Sequence, residues 1–239
     1  NPAGYRLLQI VVHALNVLLV FFFVKSIRTQ ANEPNRDVVP LLATLFYAIH
    51  PVNVESVTYI AAVGEILYTM FGLLGLLGLA RHTERSPDRP ASLRQMAIFF
   101  ALILLSMLAK ESGVVFLFMG GAYLGLFSIM RARQWRYYVT GSVITLLAYL
   151  WLRLVISNIP FLIDYNSSIS NAPIASRLLT IPYAMTHYII TLIAPIRLVV
   201  YENTVVASPG DFLFWGLTLM VLAVIAGAAF WYHRTRSKT

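Results

Sequence analysis

His50, Glu55 and Glu65 stand in a stretch, Ala48 to Phe71, that is otherwise largely apolar. An ionisable side chain at membrane depth is costly unless it is paired or lines an aqueous cavity, so such residues are functional candidates by default. A second polar point is the link Lys110-Glu111-Ser112-Gly113 between two further apolar runs. Beyond it, Arg153, Asp164, Arg177, His187, Arg197, Tyr201 and Glu202 occupy or border a long, more polar excursion. Cations beside an apolar wall suit a ligand with an anionic head and an apolar tail, such as a lipid-linked phosphate. Nearby carboxylates suit general-base work, or a divalent cation at the same head. Lys110, Glu111, Arg153 and Arg197 are therefore the candidates for phosphate binding, and His50, Glu55, Glu65 and Tyr201 for lining the site.

Each of these has a plainer reading. Lys110-Glu111 could be a solvated turn, and His50 could cap a helix end beside Pro51. His13 and Asn16, inside an apolar run, read as interhelical hydrogen-bonding groups rather than chemistry. Asp211 reads as the N-cap of a final helix. No metal-ligand spacing, phosphate loop, dinucleotide fingerprint or nucleophile elbow occurs. The triplet Asn166-Ser167-Ser168 has the form of a glycosylation acceptor.

The elements that must position these groups are membrane helices. The chain is 59% hydrophobic and 12% charged, with a mean hydropathy of +0.73, where soluble domains run at about 25% charged. The absence of cysteine excludes disulfides, thiol catalysis and cysteine-ligated metals. The net charge of +8 would point to nucleic acid in a soluble protein; here its distribution points to membrane orientation.

Crossing about 30 Å of hydrocarbon takes about 20 apolar residues. The runs Tyr5–Val24, Val38–Ile49, Val57–Leu79, Gln95–Ala109, Val114–Met130, Tyr137–Ile156 and Phe212–Trp231 predict about seven transmembrane helices. Leu178–Ile193, bracketed by Pro182 and Pro195, predicts a re-entrant or interfacial helix. Alternating polarity of the barrel kind is absent, so the fold class is an all-α integral membrane protein, a single polytopic domain over 1–239. With Val57 as a helix start, Glu65 would lie about 12 Å inside. Tyr5, Trp135, Tyr137, Tyr138, Trp151, Trp231 and Tyr232 fit interfacial belts. Gly72, Gly75, Gly78, Gly121 and Gly125 allow close helix approach.

Most of the basic residues lie in alternate connections: Lys25, Arg28 and Arg36; Arg81, Arg85, Arg89 and Arg94; Arg131, Arg133 and Arg136; and Arg234, Arg236 and Lys238. By the positive-inside rule those connections are cytoplasmic, which puts the amino end outside, the carboxyl end inside and the candidate site on the external or lumenal face. The membrane is a bacterial inner membrane or the endoplasmic reticulum.

Three motifs, in order, resemble one family. Asn1-Pro-Ala-Gly-Tyr-Arg-Leu-Leu with Val12-His-Ala-Leu-Asn16, then His50-Pro-Val-Asn-Val-Glu-Ser-Val57, then Ala109-Lys-Glu-Ser-Gly113 are similar to the membrane region of the transmembrane, tetratricopeptide-repeat-containing O-mannosyltransferase-like proteins. Pro195 with Tyr201 resembles a later part of that region. The resemblance implies a C-type glycosyltransferase superfold, a polyprenyl-phosphate sugar as donor and an inverting transfer to a protein hydroxyl on the external side. Three departures accompany it. The family's acidic pair precedes the region matching Asn1, so the resemblance places the catalytic base upstream of this chain. Val63 stands where an arginine is common, and the chain stops at Thr239, before any repeats. The chain therefore reads as a piece of a larger protein.

The leading expectation is thus a portion of a membrane glycosyltransferase, with membrane lipid, a lipid-phosphate sugar and a protein acceptor as partners, and no nucleic acid. The alternative is a non-catalytic membrane scaffold subunit of a larger complex that retains the superfold. A transporter ranks last, because no inverted repeat or paired broken helices are visible.

Overall fold

The structure, a computed structural model, describes residues 2–30, 37–85, 92–127, 132–157 and 172–195, with a few isolated positions beyond. They fall into two compact units, Asn1–Ile159 and Pro160–Thr239. All regular elements among the described residues are helical. The first unit holds α1 (Pro2–Gln30), α2 (Val38–Ile49), α3 (Val54–Thr58), α4 (Val63–Arg85), α5 (Leu93–Ala109), α6 (Val115–Phe127) and α7 (Ala132–Trp151); in the second, α8 covers Ile174–Ile193.

The expected count of about seven spans is not met by length. Among the described residues, three helical stretches are long and apolar enough to cross a membrane, Ala3–Thr29, Ile60–Glu84 and Gln134–Ile156. A fourth is reached if Val38–Ile49 and Pro51–Thr58, bent by 47°, form one broken span. The reason is geometric: the apolar helices Leu93–Ala109 and Glu111–Phe127 reach only about 25 Å at 1.5 Å per residue. The run Phe212–Trp231 lies mostly outside the described residues.

Side-chain contacts fix the helix directions in the first unit. His13 lies against the Ala48 carbonyl and Lys25 pairs with Asp37, so α1 and α2 are antiparallel. Asn16 reaches the Ile66 carbonyl and Ser26 reaches Glu84, so α1 and α4 run parallel. Ser106 donates to the Tyr68 carbonyl, while Gln95 meets His82 at the other end, making α4 and α5 antiparallel. Tyr138 donates to the Leu117 carbonyl, and Trp135 lies beside Gly125. These registers gather the starts of α1, α4 and α6 and the ends of α2, α5 and α7 at one end of the unit.

The core lies between α4, α5, α6 and α7, around Leu76, Phe99, Ile103, Phe116, Leu124 and Tyr138. Gly72 admits the Phe116 ring, which would lie 2.1 Å from an added Cβ. Gly78, by contrast, has nothing within 4 Å. Tyr138, expected at the interface, is 6% exposed and part of this core, because its hydroxyl finds a backbone carbonyl across the α6–α7 contact. A buried tyrosine needs such a partner.

Helix ends follow local sequence. Ser92 and Gln95 form a capping box at the start of α5, satisfying two orphan backbone donors reciprocally. Pro51 stops α2, since proline disfavours helical geometry in the residue before it, and His50 is extended at φ −65°, ψ 128°.

Candidate functional site

Three irregular connections meet at the end where α1, α4 and α6 begin. The first runs from His50 to Ala62: a 3₁₀ turn, the short α3, an extended Tyr59 and a second 3₁₀ turn. This break corrects the expected depth of Glu65. The helix does not run from Val57; α4 starts at Val63, which puts Glu65 in its first turn, with its side chain 32% exposed. The second connection is Lys110, extended at φ −158°, followed by the 3₁₀ turn Glu111–Val114. The third is the widening of α7 into a π-helical turn over Leu152–Ile156, which contains Arg153. Such turns recur at functional sites.

Close packing sets these pieces against one another. A Cβ on Gly64 would lie 2.8 Å from the Ala109 carbonyl oxygen, and one on Gly113 would lie 2.5 to 2.7 Å from atoms of Ser106 and Met107. Glycine at both points lets the start of α4 and the Lys110 link approach α5 directly.

Four of the candidate residues come together here. Lys110 forms an ion pair with Glu65. Arg153 lies 3.1 Å from Glu111 and donates to the Tyr149 hydroxyl at 2.6 Å. Because Lys110 and Glu111 are adjacent, the charges alternate: Glu65, Lys110, Glu111, Arg153. Glu111 lies in the connection, outside the spans. Its own backbone N–H holds its carboxyl below the usual carboxylate range, helped by Arg153 and Lys110 and opposed by partial desolvation.

His50 does something else. It is 7% exposed, its Nδ1 accepts from the Val52 N–H at 3.2 Å, and its ring packs on Phe46. The capping role is therefore the one observed. Glu55 is exposed on α3. A small open cavity of about 200 Å³ lies against His13, His50, Asn53 and Thr58. Their polar atoms serve the chain itself: Asn53 donates to the Tyr47 carbonyl and Thr58 to the Val54 carbonyl.

The residue that the sequence reading missed is Gln9. It is fully buried, and its amide donates to the carbonyls of Ser56 and Tyr59, at 3.0 and 2.8 Å. With His13 and Asn16 it makes one polar stripe along α1, directed at backbone groups of the broken connection, of α2 and of α4. The available signal was the spacing of 9, 13 and 16, one helical face. Tyr149, one turn before Arg153, was missed likewise.

Arg197 and Tyr201, with Asp164, Glu202 and Asp211, lie outside the described residues. In the second unit, the Arg177 Nε donates to the Ala172 carbonyl, and His187 stacks on Tyr183.

The arrangement brings two cations to one end of the helical unit, each paired with a carboxylate of the chain, Lys110 with Glu65 and Arg153 with Glu111. It does not fit a divalent cation. Among the described residues no three His, Asp or Glu side chains gather at ligating distance, and Glu65 and Glu111 already face cations.

The chain is similar to protein O-mannosyl-transferases. It is 26% identical over 114 residues to the human protein O-mannosyl-transferase TMTC3, covering 48% of this chain and 12% of that protein. It is 25% identical over 147 residues to human protein O-mannosyl-transferase TMTC4, covering 56% of this chain and 20% of the relative. Mouse protein O-mannosyl-transferase TMTC3 matches at 25% over 114 residues, 48% of this chain and 11% of the relative. The chain thus spans 11 to 20% of the length of these curated relatives. No protein-family model matches, and no solved structure matches. At these identities the finding is a distant relation to that family.

Proposed function

We propose that the chain is part of a membrane glycosyltransferase that moves a mannose-type sugar from a polyprenyl-phosphate donor to a protein hydroxyl. The observation that carries this reading is the gathering of Lys110 and Arg153, from two separate connections, at one end of an apolar helical unit. The distant relation to O-mannosyl-transferases supports the donor class. In this reading Lys110 and Arg153 contact the donor phosphate. Glu65 and Glu111 set the charge around it, and His50 and Glu55 border the acceptor side.

The reading places this end on the external or lumenal face, with the basic end cytoplasmic. The test of sidedness uses single cysteines introduced into this cysteine-free stretch. A cysteine at Ser112 should react with an impermeant thiol reagent from outside, and one at Asp37, exposed at the opposite end, should react only once the membrane is opened. The test of activity is transfer from a labelled polyprenyl-phosphate sugar by the full-length protein in membranes. Lys110→Ala should abolish donor crosslinking and transfer; full activity in that variant would remove Lys110 from the site.

A scaffold role is the second reading, and one observation favours it. The two ion pairs tie α4, the Lys110 link and α7 together, as a purely structural clasp would. Absence of transfer by the full-length protein with donor supplied, together with loss of complex assembly in Lys110→Ala, would establish it.

A further inference from the structure

Lys110 and Arg153 do not stand open to an incoming anion: each is met by a carboxylate of the chain itself, Lys110 by Glu65 and Arg153 by Glu111. We infer that Glu65 and Glu111 are placeholder anions, competitors that a phosphate-ester lipid must displace from Lys110 and Arg153 in order to bind. The inference rests on the reading of those two cations as the phosphate site.

Three observations support competition rather than co-ligation. The ammonium of Lys110 and the guanidinium of Arg153, the cations a phosphate would meet, are the same groups the two carboxylates now engage. The four charges cancel, so a phosphate added without displacing a carboxylate would bring net negative charge into a partly enclosed place. The side chains of Glu65, Lys110 and Arg153 are 32%, 36% and 19% exposed, so solvent screens that repulsion only in part. Other elements at this end add no net positive charge to offset it. Glu55 on α3 is a further negative charge that balances Arg6 on α1, Tyr149 is already bonded to Arg153, α6 carries no charged residue, and Arg94 lies at the far end of α5.

The two carboxylates also differ in how readily they leave. The Glu111 side chain is 62% exposed on a 3₁₀ turn and can swing into water. Glu65 is held on the first turn of α4, where Gly64 packs on the Ala109 carbonyl. Displacing Glu65 is the costlier step and gives the site its selectivity. A weakly bound bulk anion cannot complete it, whereas a phosphate ester anchored by its tail in the membrane can.

The test measures binding of a dialkyl phosphate in detergent micelles to the full-length protein, with inorganic phosphate as the water-soluble arm. Glu65→Gln, which keeps the shape and removes the charge, should bind the dialkyl phosphate about tenfold tighter than the parent, and Glu111→Gln a few-fold tighter. Lys110→Met should lose binding, and inorganic phosphate should bind weakly throughout. Affinity unchanged or lowered in both Gln variants, with the parent still binding, overturns the competition and leaves the phosphate site standing. Glu111→Gln decides this alone if Glu65→Gln fails to fold, since Glu111 is exposed. Equal binding of inorganic phosphate and dialkyl phosphate overturns the lipid as occupant. No binding by the parent or either Gln variant sinks the underlying reading, and the inference with it.

Discussion

The side-chain amide of Gln9 donates to the Tyr59 carbonyl at 2.8 Å, across the point where the chain between α3 and α4 leaves helical geometry. The same nitrogen reaches the Ser56 carbonyl at 3.0 Å. Irregular backbone is tolerated in an apolar setting only where its polar groups are satisfied by protein or water. One side chain of α1 thus makes the broken entry to α4 affordable, and that break sets the position of Glu65.

Gln9→Leu should therefore destabilise out of proportion to its size. Leaving two part-buried carbonyls without this donor costs on the order of 1 kcal/mol. The check is thermal or denaturant unfolding in detergent, beside Leu8→Ala at an exposed position of the same helix. Equal losses for the two variants would show that the hydrogen bonds contribute nothing.

Lys110→Met strands the Glu65 carboxylate in a half-buried place. A loss of about 2 kcal/mol is expected, and the double variant Lys110→Met with Glu65→Gln should recover most of it. A double-mutant cycle read by unfolding checks this. Additive losses would mean that the two residues do not support each other.

Two glycines should respond in opposite directions. Gly113→Ala meets main-chain atoms of Ser106 and Met107, which cannot swing aside, and should cost about 2 kcal/mol while shifting the Lys110 link. Gly78→Ala enters open space in the middle of α4 and should stabilise by roughly 0.5–1 kcal/mol. Melting temperatures of the two variants decide the matter.

Glu111 gives a pH dependence of known sign. Its folded carboxyl titrates below the ordinary value, so the folded state prefers the ionised form. The resulting stabilisation is present above the ordinary carboxylate range and is lost as pH falls through the depressed folded value. The side chain is mostly exposed, so the effect is small. Melting temperature measured from about pH 6 down to about pH 3 should fall less steeply in Glu111→Gln than in the parent.

The polar points of the candidate site could be read in the sequence because hydropathy and charge are local properties. The run Ala48–Phe71, the charged link at Lys110-Glu111 and the Arg153 position were all visible as polar points in apolar surroundings. The charge pattern also separated Glu65, Lys110, Glu111 and Arg153 from the basic connections, and the helix directions place those groups at one end. The count of long spans was less legible. The helices α5 and α6, 17 and 13 residues long, fall short of the about 20 residues of a straight span, and so does the run Gln95–Ala109 that predicted the first of them.

Sequence by itself determined an all-helical, membrane-type chain and the identity of the charged residues that could act. Only the tertiary structure decided which of them meet. Glu65 and Lys110 are 45 residues apart, and their pairing depends on the antiparallel register of α4 and α5. That register is set by Ser106 on the Tyr68 carbonyl and by glycines that let backbones touch. Gln9 and Tyr59 are 50 residues apart, and their hydrogen bond exists because α1 runs parallel to α4. Patterning along a chain records which face is apolar; it does not record which distant carbonyl a buried amide will find. That is set by packing, which decides which acceptor lies within reach of a buried donor.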